Sequence, residues 1–171
     1  MRPLLPAAFV TVLAVFPTGR ADAAELSLGV EIPRIKMAEY HRPYVAIWLE
    51  DAAGQVTNLA LWYNVNNPRK EGDRWLRDTR QWWRKAGREL NLPVDGLSSP
   101  TRSPGTHQVR MDGAALQALP PGAYRLTVEA AREKGDYEIL TLPVQLPVTK
   151  KTVAQAKGDK ELGLVRLSLT P

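Results

Sequence analysis

Pro120-Pro121-Gly122-Ala123-Tyr124-Arg125-Leu126-Thr127-Val128-Glu129-Ala130 is the stretch on which the fold is read. Two prolines and a glycine make a turn, and Tyr124, Leu126, Val128 and Ala130 then alternate with Arg125, Thr127 and Glu129, the period-two pattern of a strand with one buried face. Upstream, Asp112-Gly113 marks a second turn. Working outward, the same alternation recurs in Leu26, Leu28, Val30 and Ile32; in Leu59, Leu61, Tyr63 and Val65; in Leu140, Leu142, Val144, Leu146 and Val148; and in Val165, Leu167 and Leu169. His107 to Met111 adds a short strand. Tyr44 to Glu50 is apolar on both faces, which suits a central strand, and Ala53-Gly54 turns it back into the next one as a hairpin. About seven strands separated by turn residues predict an all-β, immunoglobulin-like β-sandwich.

One segment breaks the pattern. Between Asp73 and Gly87 the residues Trp75, Thr79, Trp82 and Ala86 recur at helical spacing, with Leu76 and Trp83 beside them and Arg74, Arg77, Arg80, Arg84 and Lys85 largely elsewhere. This predicts one inserted amphipathic helix over 73–87, with Asp73 as N-cap, Arg84 and Lys85 at the C-terminal end of the dipole, and Gly87 as the stop. Two readings of it differ in function. Either the tryptophans cover an open end of the sandwich while the arginines are solvated, or Arg77, Arg80 and Arg84 belong to a basic, aromatic face that meets a membrane surface or an acidic partner. Segments 91–106 and 149–160 lack clean periodicity and read as exposed loops.

The N-terminus supplies an address. Arg2, the apolar run Leu4 to Phe16 and the small-x-small pattern Ala21-Asp22-Ala23 have the form of a cleavable signal peptide over 1–23, leaving residues 24–171 as one domain in the periplasm. The run is shorter than the roughly 20 residues that span a bilayer, so no transmembrane segment is expected after cleavage. A formal charge of +5 is modest for the chain's length and is no nucleic-acid signature. With no cysteine, the protein has no disulfides, thiolate metal sites or thiol nucleophile.

Chemistry-bearing motifs are sparse. His41 and His107 are the only histidines and show no ligand spacing, so no metal site is expected. Glu50-Asp51 and Glu129…Glu133 fall at strand ends, where carboxylates are ordinarily solvated. No nucleophile elbow, phosphate loop or zincin helix occurs, so the expectation is no catalytic residue and no enzyme.

The runs Tyr40-His41-Arg42-Pro43-Tyr44-Val45-Ala46-Ile47-Trp48-Leu49-Glu50-Asp51, Leu59-Ala60-Leu61-Trp62, Arg74-Trp75-Leu76…Trp82-Trp83, Pro121-Gly122-Ala123-Tyr124-Arg125-Leu126 and Glu129-Ala130-Ala131-Arg132-Glu133 together resemble a predicted periplasmic family of unknown function, DUF2271. The Asp112-Gly113…Tyr124 segment is also similar to FlgD-type immunoglobulin-like domains. What the resemblance implies is a setting near PepSY-domain membrane proteins and ApbE-type flavin transferases, in envelope redox or transport systems. The expected role is a non-enzymatic accessory or binding domain without a cofactor.

A second role stays open beside it. Periplasmic flavoproteins that carry covalent flavin mononucleotide (FMN) do so in an Asp-x-x-Ser/Thr-Gly-Ala-Ser/Thr pattern, and Asp95, Ser98 and Thr101 resemble it, with Thr101 as acceptor. Ser99 and Pro100 depart from its two small positions, losing glycine's conformational freedom and one backbone donor. On this alternative the protein is an electron carrier loaded by a transferase. Otherwise, 91–106 is an unmodified surface loop.

Overall fold

The computed structural model describes residues 24–69 and 71–171; the signal peptide expected over 1–23 lies outside them. Nine strands form among these residues: β1 (Glu25–Ile32), β2 (Tyr44–Asp51), β3 (Val56–Tyr63), β4 (Ser98–Pro100), β5 (Gly105–Met111), β6 (Gly122–Ala131), β7 (Tyr137–Leu146), β8 (Thr152–Lys157) and β9 (Leu164–Thr170). They make a four-stranded sheet in the order β5-β1-β9-β8 and a five-stranded sheet in the order β4-β3-β2-β6-β7. All pairings are antiparallel except β3 with β4. The β-sandwich expected from the alternation is therefore the fold.

The alternating residues meet between the sheets. Leu26, Leu28, Val30 and Ile32 of β1 and Val165, Leu167 and Leu169 of β9 pack against Val45, Ile47 and Leu49 of β2, Leu126 and Val128 of β6 and Trp62 of β3. Each of these side chains is at most 2% exposed, and full burial of such a group contributes roughly 1.5–3 kcal/mol. The segment that decided the fold also makes its own corner. Tyr124 reaches back from β6 to donate its hydroxyl to the Pro120 carbonyl at 2.8 Å, the tyrosine corner of immunoglobulin-like domains.

β2 is apolar on both faces because both are covered. Its odd-numbered residues face the other sheet, whereas Ala46 and Trp48 join Leu61 and Tyr63 of β3 beneath Leu76 and Trp82 in a second cluster. The covering segment is not one helix. It runs as α1 (Glu71–Trp75), a 3₁₀ turn over Leu76–Asp78, α2 (Arg80–Lys85) and a second 3₁₀ turn over Gly87–Glu89. This corrects the expected 73–87 helix, and the cover lies on the outer face of the five-stranded sheet, not over an open end. Asp73 sits inside α1, beyond the position of an N-cap. Gly87 is required for space, since a side chain there would collide with the rings of Trp82 and Trp83.

Two segments read as loops are partly strand. Within 91–106, Ser98–Pro100 pairs with Leu61–Tyr63 and Gly105 begins β5. Within 149–160, Thr152–Lys157 is the edge strand β8 on β9. Its inward positions are Ala154 and Ala156, packed only partly against the core, so a real strand carries almost no hydrophobic signal. Asp112-Gly113 opens the short helix α3 (Gly113–Gln117), with the Asp112 carboxylate accepting the Ala115 N–H at 2.8 Å.

Candidate functional site

Polar and charged side chains gather on two surfaces: the outer face of α1 and α2, and a cleft at one end of the five-stranded sheet.

The helices are seated by a carboxylate. Glu129 of β6 points outward under α2, is 0% exposed, and accepts the N–H groups of Gln81 at 2.8 Å and Trp82 at 2.7 Å. Thr79, the residue before the helix, makes no side-chain cap, so a distant strand supplies what a local Ser or Asp would ordinarily provide. Trp82 is wholly buried and donates its indole N–H to Asn58 Oδ1 at 2.7 Å. Lys85 reaches down to Glu50, with 2.7 Å between Nζ and Oε1, and Arg125 joins the same oxygen at 3.1 Å. Glu50 and Glu129 were expected to be solvated as strand-end carboxylates. They are buried because the helical cover closes over their strands.

Burial pushes the Glu50 carboxyl up, but Lys85 and Arg125 outweigh it and hold the group below the usual carboxylate range. A carboxylate depressed on folding stabilises above its unfolded pKa and loses that contribution as pH falls through the folded value. Lys85→Met should therefore cost about 1–2 kcal/mol at neutral pH. Urea titrations across pH should show the gap to wild type closing in acid; a gap of constant size would refute the role given to Glu50.

Above this anchored layer the predicted cations behave differently from Lys85. Arg74, Arg77, Arg80 and Arg84 are exposed, and among the described residues none pairs with a carboxylate. Three lie on aromatic rings: Arg74 over Trp75 at 5.7 Å, Arg77 over Trp83 at 5.2 Å, and Arg80 over Tyr137 of β7 at 5.8 Å. Trp75 and Trp83 are half-buried. The aromatic stripe thus divides, with Trp82 in the core and its neighbours under guanidinium groups. Stacking limits the motion of each guanidinium and leaves its in-plane donors free.

The second surface gathers four strand ends of one sheet. Tyr40, His41 and Arg42 precede β2, Tyr44 begins it, Asn64 follows β3, Thr101 follows β4 and Glu133 follows β6; together they line an open cleft of about 350 Å³. His41 is held between two carboxylates, with Nε2 3.2 Å from Glu39 and Nδ1 3.7 Å from Glu133. Behind it, Arg132 and Glu161 form a bidentate pair at 2.8 Å on both sides, with side chains 5% and 1% exposed. Glu161 also accepts the Asp136 N–H at 2.8 Å, and the Arg132 guanidinium lies 5.7 Å from the Tyr40 ring centre.

The three residues of the acceptor pattern separate. Thr101 lines the cleft, half-buried; Asp95 is exposed in the preceding turn; and Ser98 turns its hydroxyl to the turn itself, accepting the Val94 N–H at 2.9 Å. Ser98–Pro100 is held to β3 as a strand, which leaves little free segment for a transferase to engage. With both ring nitrogens of His41 facing carboxylates, that ring is not placed as a base for Thr101. His107 instead approaches the Ser103 carbonyl at 2.7 Å and the edge of Trp62. Among the described residues no three His, Asp or Glu side chains converge as a metal site. The sequence singles out Thr101 and His41 but gives no sign of the cleft, because its members come from segments distant in the chain and meet only through the strand order.

A family model described as "Predicted periplasmic protein (DUF2271)" matches residues 25–164. Comparison with curated proteins and with solved structures gives no match.

Proposed function

The chain belongs to the DUF2271 family of predicted periplasmic proteins, and from that premise we propose that it is an exported, non-enzymatic binding module that docks an envelope membrane protein through the arginine face of α1 and α2. The observation that carries this reading is the contrast among the cations. Lys85 is consumed by a buried carboxylate, whereas Arg77, Arg80 and Arg84 stand exposed with no carboxylate partner among the described residues, and Arg77 and Arg80 are steadied on aromatic rings. Unpaired, pre-ordered guanidinium groups suit bidentate capture of carboxylates on an acidic protein surface. Among the described residues no helix is long and apolar enough to cross a membrane. The setting drawn from the family resemblance, PepSY-type proteins in envelope redox or transport systems, supplies the class of partner.

Combining Arg77→Glu, Arg80→Glu and Arg84→Glu should reduce crosslinked capture of the membrane partner by at least about tenfold, and raised salt should weaken wild-type capture in the same direction. Undiminished capture by the triple variant would sink the reading. The other role, a covalent FMN carrier, is separated by intact mass after co-expression with an ApbE-type transferase: an adduct lost in Thr101→Ala would favour it. Flavin would then supply the redox chemistry, and Thr101 only the point of attachment.

A further inference from the structure

We propose that the cleft at the β2, β3, β4 and β6 strand ends is a binding site for a neutral saccharide, independent of the arginine face. Its volume of about 350 Å³ lies at the small end of ligand pockets, roughly 300–1,000 Å³. That is room for one or two sugar rings. The walls come from separate loops carried on adjacent strands, and the frame behind them is fixed by the buried Arg132–Glu161 pair. Sites of this kind keep their shape before a ligand arrives.

The charge distribution favours no ionic ligand. Lys134 pairs with Glu39 at 2.9 Å and His41 Nε2 lies 3.2 Å from the same carboxylate, so Glu39 is already partnered within the protein. Arg42 is exposed and has no carboxylate partner among the described residues. A cation would meet that guanidinium. An anion would meet Glu133 and the acidic surroundings of Tyr44, whose phenol is pushed up by burial first and then by Glu133, Asp78 and Glu71. An ion of either sign is thus attracted by one of these groups and repelled by the other, so charge gives an ionic ligand no net advantage.

The remaining groups suit hydroxyls. The Asn64 amide and the Thr101 hydroxyl can each donate and accept, Arg42 donates, and Glu133 accepts. Neither the Asn64 side chain nor the Thr101 hydroxyl is used by another described residue. Tyr40 and Tyr44 add ring surface against which the C–H face of a pyranose can pack. Polar edges with an apolar face are what a sugar ring presents.

The test is a glycan array probed with the labelled protein, followed by amide NMR titration with maltose, cellobiose and di-N-acetylchitobiose. Saturable shifts confined to residues 40–42, 44, 64, 101 and 133 are expected with at least one disaccharide. Asn64→Ala and Thr101→Ala should each weaken that binding about tenfold, with the rest of the spectrum reporting an intact fold, while Arg77→Glu leaves it unchanged. The proposal is overturned if no glycan saturates the cleft, if both cleft variants bind as wild type, or if glutamate or lysine displaces the sugar at lower concentration.

Discussion

Arg132→Ala should destabilise the protein by about 3–5 kcal/mol, the cost of breaking a buried ion pair by removing one partner. Glu161, 1% exposed beside Arg132, would keep the Asp136 N–H as its only other hydrogen-bond donor among the described residues. It must then stay charged without its counterion or take up a proton, and either route costs stability at neutral pH. The pair also joins chain segments that local sequence does not connect: Arg132 leads the β6–β7 turn, Glu161 belongs to the β8–β9 connection, and the guanidinium touches Met37 and Tyr40 of the β1–β2 connection. Urea unfolding would measure the loss. Because much of the cost is the orphaned charge, replacing both partners, Arg132→Met with Glu161→Leu, should recover much of it. A single-variant loss below about 1 kcal/mol, the scale of an exposed pair, would contradict this account.

The sandwich was legible because its core obeys simple alternation. Leu26 to Ile32 and Tyr124 to Ala130 each send alternate apolar residues into the inter-sheet core, although Thr127 and Glu129 on the other face of β6 are buried too, and a period of two is difficult to mimic in a helix. The sequence was less informative where tertiary contacts replace local signals. β8 faces the core with alanines, and β4 is held by backbone pairing to β3, so neither leaves a hydrophobic pattern. The helical cover was visible as a change of period. Its break into two short helices was not, because the cap on α2 comes from Glu129, 48 residues from Gln81 in the chain. The arginines could be read as a face but not sorted. Only the structure shows that Lys85 is spent on Glu50 while Arg77, Arg80 and Arg84 are free of carboxylate partners among the described residues. Thr101 was singled out for a motif; its place in the cleft follows from β4 running parallel to β3, which brings 101 beside Asn64.

Glu129→Ala is expected to act on stability and docking together. The substitution removes the acceptor of two N–H groups at the start of α2, one on the wholly buried Trp82, and empties space beneath the helix. Hydrogen bonds to a charged group contribute roughly 1.5–3 kcal/mol, and donors left buried without partners add to the loss, so about 2–4 kcal/mol is expected. That loss should fall unevenly. The inter-sheet core does not depend on Glu129, whereas the layer carrying Leu76 and Trp82 does, so the cover should open locally before the sandwich unfolds. Tryptophan fluorescence should shift to the red at lower denaturant than the circular dichroism of the strands is lost. Glu129→Gln, which keeps one acceptor oxygen and most of the volume, should lie between the variant and wild type. Partner capture should follow the fluorescence transition, since Arg77, Arg80 and Arg84 are positioned only while the cover is seated. Coincident fluorescence and circular dichroism transitions in Glu129→Ala would instead make Glu129 part of one cooperative core, with no separable docking layer.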